Sequence, residues 1–239
     1  MRPFDVLLLP LRDVLRGQQH TLTGYGSLGL MALGLIAGWL VYVPLHELLH
    51  AYGCLLAGGE VTRLEIDTLY GGALLARIIP FVVAGSEYAG RLSGFDTGGS
   101  DLVYLATDLA PFVLTLLPGV WALRRAARAG RALLFGASLP FALAPFLSLT
   151  GDAYEIGSIL VTAVGPWSAS SELLRGDDVA LVAGVLPADG FLWAGYVGAL
   201  SLGALWAFAT YALGAAVARA LGQKAMEAVG AKAAPPAGS

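Results

Sequence analysis

His46, Glu47 and His50 belong to the run His-Glu-Leu-Leu-His, and their spacing points to one kind of chemistry. Residues four apart on an α-helix share a face, so both imidazoles can grip a single metal ion. Glu47 stands beside them, where it can take a proton from a water that the metal activates. The run closes an uncharged stretch from Leu28 to Leu45. A charged side chain near the middle of a bilayer helix costs roughly 2.5–3.5 kcal/mol on the insertion scale, so such groups persist where they have a partner or a task. The expectation is a hydrolytic zinc site, one Zn2+ per chain, with His46 and His50 as ligands and Glu47 as the catalytic base.

A catalytic zinc takes three protein ligands and keeps a fourth position for water. The remaining histidine, His20, precedes the span and reads as a solvated juxtamembrane residue. The third ligand is therefore expected to be a carboxylate. Asp152, in SLTGDAYEIGS, follows a flexible Thr-Gly and closes a span broken by prolines. Asp108, in ATDLAPF, precedes Pro111, which frees a backbone carbonyl and loosens the helix nearby. Glu155 lies one helical turn beyond Asp152. Asp152 is the first choice, and Asp108 and Glu155 stay open as alternatives. Asp108 also has a bland reading, as a buried acid bonded to the hydroxyl of Thr107 or Thr115.

The elements that position these residues must be membrane helices. The 239 residues are 57% hydrophobic and only 13% charged, against about 25% charged in soluble domains. The net charge of −3 offers no reason to invoke nucleic acid. A single cysteine, Cys54, excludes an internal disulfide and a Cys-rich zinc site. Crossing a bilayer takes about 20 apolar residues, and four stretches qualify: Leu28–Leu56, Leu102–Leu123, Ala132–Thr150 and Phe191–Val217. The fold expected is an all-α polytopic membrane protein, with a short β-hairpin or interfacial segment after the first span. Ala73–Ala84 is too short to cross and reads as re-entrant or interfacial. The N-terminal segment 1–26 reads as amphipathic and interface-lying rather than as a cleaved leader. Residues 27–221 form one membrane-embedded domain, and 222–239 are expected to be a disordered tail.

Placing both termini and the loop Arg124–Arg131 in the cytoplasm puts ten Lys and Arg inside and leaves Arg63, Arg77, Arg91 and Arg175 outside. That bias favours an N-in, C-in protein with the histidine pair in the outward half of the first span. On this topology Asp108 and Asp152 fall at the same depth as the histidines.

HELLH at the end of a hydrophobic span, followed by LLAGGEVTRLEI, resembles the site-2 protease family of intramembrane zinc metalloproteases. The Gly-Asp of TGDAYEIGS resembles a divergent form of that family's second motif, which is commonly Asn-Pro-Asp-Gly and carries an Asp ligand. The resemblance covers about Leu28 to Gly165. It implies hydrolysis of peptide bonds in membrane-embedded or juxtamembrane substrates, in a multi-pass protein of the bacterial inner membrane. Family members place the metal toward the cytosolic face, whereas the charge bias here puts it outward.

The segment Glu60–Tyr70 is rich in β-formers, so it reads either as an edge strand that could pair with an unwound substrate or as a plain interfacial hairpin. Gly85–Ser100 is polar and Gly-rich, a lid or a connector. The partners implied are lipid and a transmembrane protein or peptide. Two other functions fit the residues less well: an inactive relative that binds metal or a client segment, and a metal transporter or sensor. Pro44, two residues before His46, removes a backbone N–H and can bend the span to admit water. Pro44→Ala is therefore expected to lower turnover without abolishing metal binding, and unaltered turnover in a cleavage assay would count against that role.

Overall fold

The computed structural model describes residues 3–164, 166–188 and 190–233. Two N-terminal helices, α1 (Pro3–Leu7) and α2 (Leu9–Thr21), precede the long helix α3 (Tyr25–Leu56). Strand β1 (Glu60–Ile66), helical turn α4 (Gly72–Leu75), strand β2 (Val82–Ala84) and strand β3 (Gly90–Asp96) follow. The chain then returns through α5 (Asp101–Leu109) and α6 (Val120–Arg128). Next come α7 (Ala132–Leu147), α8 (Asp152–Val164), the short α9 (Ser171–Leu174) and α10 (Val179–Val185), and α11 (Gly190–Ala233). Among the described residues, four helical stretches are long and apolar enough to cross a membrane: Tyr25–Leu56, Asp101–Arg128, Ala132–Val164 and Gly190–Gln223. The protein is thus an all-α membrane fold with four spans and one small sheet.

These spans are inside-out relative to a soluble helix. On α3 the buried positions include Gly34, Gly38, Tyr42, His50 and Gly53, whereas Leu28, Leu33 and Ile36 are exposed. Lipid tails are as apolar as leucine, so helices associate through small residues that let backbones approach. A Cβ on Gly34 would sit 2.0 Å from the Leu133 carbonyl oxygen, one on Gly38 2.3 Å from that of Ala137, and one on Gly136 2.0 Å from that of Met31. From Gly34 on Leu133 to Gly38 on Ala137 the numbers rise together, so α3 and α7 run parallel. The same device joins α8 to α11 in antiparallel sense, with Gly157 on the Ala199 carbonyl and Gly203 on that of Ala153.

The third span differs from its expected form. It does not end at Thr150 but breaks over residues 148–151 and resumes as α8, which carries it to Val164. Asp152 therefore sits not at the outer end of a span but at the junction of two half-helices. At 1.5 Å per residue these are about 24 Å and 20 Å long. Pro145 contributes to the break, because it cannot donate to the Phe141 carbonyl. The Thr115 hydroxyl, 2.8 Å away, satisfies that oxygen instead.

The sheet has the order β2-β1-β3, with β1–β2 parallel and β1–β3 antiparallel. Strand β1 is therefore central and not the edge strand considered above. The edges come from Ala73–Ala84, which ends in β2, and from Gly85–Ser100, which holds β3. Leu64 and Ile66 are fully buried in a cluster with Ala51 of α3 and Val82, so the sheet docks on the far end of α3. The C-terminal expectation also changes. α11 continues to Ala233, so residues 222–233 are helical, consistent with the helix formers in Gln-Lys-Ala-Met-Glu-Ala. The rest of the expected tail, 234–239, lies outside the described residues.

Gly38→Leu is expected to push α3 off α7, destabilising the protein by about 1–3 kcal/mol and drawing His46 away from Asp152, which weakens any metal binding there. Gly29→Leu, at a position with nothing within 4 Å, is expected to change neither thermal unfolding in detergent nor a zinc titration.

Candidate metal centre

α3 is helical through the motif because a backbone inside a bilayer must satisfy its own polar groups. His46 and His50 accordingly project from one face. Their Nε2 atoms lie 3.1 Å apart. Asp152, the first side chain of α8, reaches the same point, with Oδ2 3.1 Å from His46 Nε2 and Oδ1 3.6 Å from His50 Nε2. Ligands on a tetrahedral zinc with bonds near 2.05 Å stand about 3.3 Å apart, so the spacing suits such an ion. Among the described residues these three side chains form the group of His, Cys, Asp and Glu that could hold a metal.

The hydrogen bonds around the rings specify which nitrogens face inward. His50 Nδ1 lies 2.9 Å from the Thr107 carbonyl, which can only accept, so Nδ1 carries the proton. The Nε2 of the neutral ring is then a bare lone pair. His46 Nδ1 is engaged by the Tyr42 hydroxyl at 2.7 Å. Asp152 Oδ2 is buried, and His46 Nε2 is its near neighbour at 3.1 Å. With both Nδ1 atoms donating outward, two ring lone pairs and a carboxylate converge on one point, where a cation would satisfy all three. This is the arrangement in which an outer partner fixes the tautomer and ring orientation of a metal-binding histidine.

The Thr107 carbonyl is available for a local reason. Pro111, four residues on, has no N–H to donate to it. The proline expected to free a carbonyl near Asp108 does so, and the carbonyl it frees is the one that holds His50. Asp108 itself is buried, and its Oδ2 has no partner. Neither expected hydroxyl serves it: Thr107 donates to the Val103 carbonyl and Thr115 to that of Phe141. Glu155 accepts from the Tyr104 hydroxyl. Asp108 and Glu155 therefore both lie outside the three-residue group.

Glu47 packs against the first residue of β3. A Cβ on Gly90 would lie 2.4 Å from Glu47 Cγ, so only glycine lets the strand backbone reach that side chain. The sheet is pinned nearby by Arg63 and Ser93, which both donate to Glu65. These bonds hold the Glu65 carboxyl below its ordinary range, with the Arg63 contact the larger cause. On the other side, the chain between α8 and α11 folds back to the break. Val179 N–H donates to the Thr150 carbonyl at 3.2 Å. Arg175 makes a two-pronged pair with Asp101 at 2.5 and 2.9 Å and donates to Thr162.

Tyr42, the Thr107 carbonyl and Gly90 were not picked out in the sequence. Two of them carried a signal: Tyr42 is one turn before His46, and Thr107 is four residues before a membrane proline. No family model matches this chain, and neither a curated protein nor a solved structure does.

Removing either outer partner should loosen the metal. Tyr42→Phe is expected to weaken metal affinity at this triad by about 10–100-fold. Pro111→Ala returns a competing N–H to the Thr107 carbonyl and is expected to act in the same direction. Competition with a chromophoric chelator reads both, and wild-type affinity in both would refute this account of the ring orientations.

Proposed function

We propose that this protein is an intramembrane zinc metalloprotease, a divergent relative of the site-2 proteases, hydrolysing peptide bonds of membrane-embedded or juxtamembrane substrates. The observation that carries the reading is the meeting of His46, His50 and Asp152 from two different spans, with Glu47 beside them. His46, His50 and Asp152 would hold one Zn2+. When bound, it would supply Lewis acidity, polarising the scissile carbonyl and lowering the pKa of water from about 15.7 toward 7.

The chain's own residues would do the rest. Glu47 takes one proton from the attacking water as the new C–O bond forms, and delivers it to the leaving nitrogen as the C–N bond breaks. Tyr42 and the Thr107 carbonyl keep the two imidazoles turned inward. β3 presents a free backbone edge, and an extended substrate segment pairing there would enter next to Glu47 without demanding a particular sequence. A helical substrate must unwind first, because its amides are otherwise spent on its own turns. The orientation that follows from the charge bias is N-in and C-in, with the site toward the outer leaflet of a bacterial inner membrane.

The test measures zinc per chain and cleavage of a transmembrane test substrate in purified protein. Glu47→Gln is expected to retain zinc and lose activity by about 10²–10⁴-fold. Asp152→Ala is expected to lose zinc, and Asp108→Ala to keep it. Wild-type protein that takes up no zinc, or Glu47→Gln that cleaves normally, would overturn the proposal. Zinc held at this site with no cleavage in wild type would instead favour the inactive, metal-binding relative.

A further inference from the structure

The opposite end of the bundle, where α3 begins, carries a second feature that the hydrolytic reading does not use. Two cavities meet there, of about 930 Å³ and 1220 Å³, and Arg128 and Gly222 line both. Each matches or exceeds the usual range of about 300–1,000 Å³ for small-molecule sites. The smaller lies between α2, α6 and α11 and is rich in arginine, with Arg16, Arg124, Arg128 and Arg219 on its walls. The larger runs along α6 and α7 and is mostly apolar, with Leu117, Trp121, Leu134 and Phe141 on its walls and Arg125 and Arg131 among its cations.

The charges are unbalanced. Asp13, the carboxylate in the smaller cavity, is already occupied: Arg124 approaches its Oδ2 at 2.7 and 2.8 Å, and the Tyr211 hydroxyl donates to it at 3.0 Å. Among the described residues, Arg16, Arg125, Arg128, Arg131 and Arg219 make no ion pair. Arg125 stacks over Trp121, with its guanidinium carbon 5.6 Å from the ring centre. Five uncompensated guanidinium groups around one junction repel one another unless an anion joins them. Guanidinium matches phosphate geometry with paired N–H donors.

We propose that this junction is a binding site for an anionic phospholipid, with the phosphate headgroup among Arg128, Arg131 and their neighbours and an acyl chain along the groove between α6 and α7. A soluble phosphate ester would satisfy the cations but leave the apolar walls bare, and a neutral lipid would do the reverse. The occupant that complements both is a lipid with a net negative headgroup. The site sits at the end of the bundle that the charge bias assigns to the cytoplasm, and α2 closes one side of it. A bound lipid would tie α2 to α6 and α11.

The test uses the full-length protein in nanodiscs of phosphatidylcholine containing phosphatidylglycerol, followed by gentle delipidation and native mass spectrometry of retained lipid. Wild type is expected to retain phosphatidylglycerol selectively. Arg128→Gln combined with Arg131→Gln is expected to lower that retention by about thirtyfold, since each cation contributes on the order of 1 kcal/mol to anionic lipid attraction. Arg63→Ala combined with Arg77→Ala removes equal charge at the other end and is expected to leave it unchanged. Ala122→Trp narrows the groove and is expected to lower retention with every arginine present. Helix content by circular dichroism and a single gel-filtration peak establish that each variant is folded. Equal loss in both arginine pairs, no selectivity over phosphatidylcholine, or full displacement by soluble glycerol phosphate would each overturn the proposal.

Discussion

A peptide carbonyl inside a bilayer has no water to turn to, and much of this structure follows from how such carbonyls find partners. Proline creates the need by withdrawing the N–H four residues on. At Pro145 the orphaned oxygen belongs to Phe141 and is met by the Thr115 hydroxyl, which ties the second span to the third. At Pro111 it belongs to Thr107 and is met by His50 Nδ1, which ties the second span to the first and turns the imidazole toward Asp152. Helix breaking and site building are here the same event. A continuous second span would spend the Thr107 carbonyl on its own ladder and leave His50 free to rotate.

Close approach of helices is the second requirement. Imidazole and carboxylate side chains are short, so His46 and Asp152 meet only if α3 and α7 run nearly in contact below them. Gly34, Gly38 and Gly136 permit that contact backbone to backbone. Parallel packing then brings the start of α8 level with His46. The break between α7 and α8 has a further consequence, because it exposes the positive end of a helix to the Asp152 carboxylate. The antiparallel match of Gly157 and Gly203 holds α8 from its other side, so the carboxylate is carried by an element braced on two faces.

Polar groups within the spans are distributed unevenly, and this bears on what the fold can do. Around the junction of α3, α5 and α8 stand His46, His50, Asp152, Asp108, Glu155, Tyr104 and Glu47. At the other end the polar groups are arginines, exposed and largely unpaired. The acids and histidines gather at one end of the bundle and the arginines at the other. For the buried acids and histidines the setting is low-dielectric, where an uncompensated charge is the strongest feature of its surroundings.

Some of this was legible in the sequence. The i, i+4 histidine pair, the adjacent Glu47 and the count of four spans depend on short-range spacing and on composition. A bilayer leaves a long apolar segment little choice but a helix, so local pattern alone determined them. Pro111 could likewise be read as freeing a carbonyl, since that effect is confined to a single turn. What took up the carbonyl could not be read, and for the carboxylate that meets the histidines the sequence favoured Asp152 while leaving Asp108 and Glu155 open. Tertiary structure decided for Asp152, because the glycine contacts set the register of α7 against α3 and the break aimed the start of α8 at His46. The sheet order was undecided for the same reason, since β1 offered edges to two later strands and only their packing on α3 assigned them. Spacing along the chain determines which side chains a helix presents together, and only the approach of other helices decides what they face.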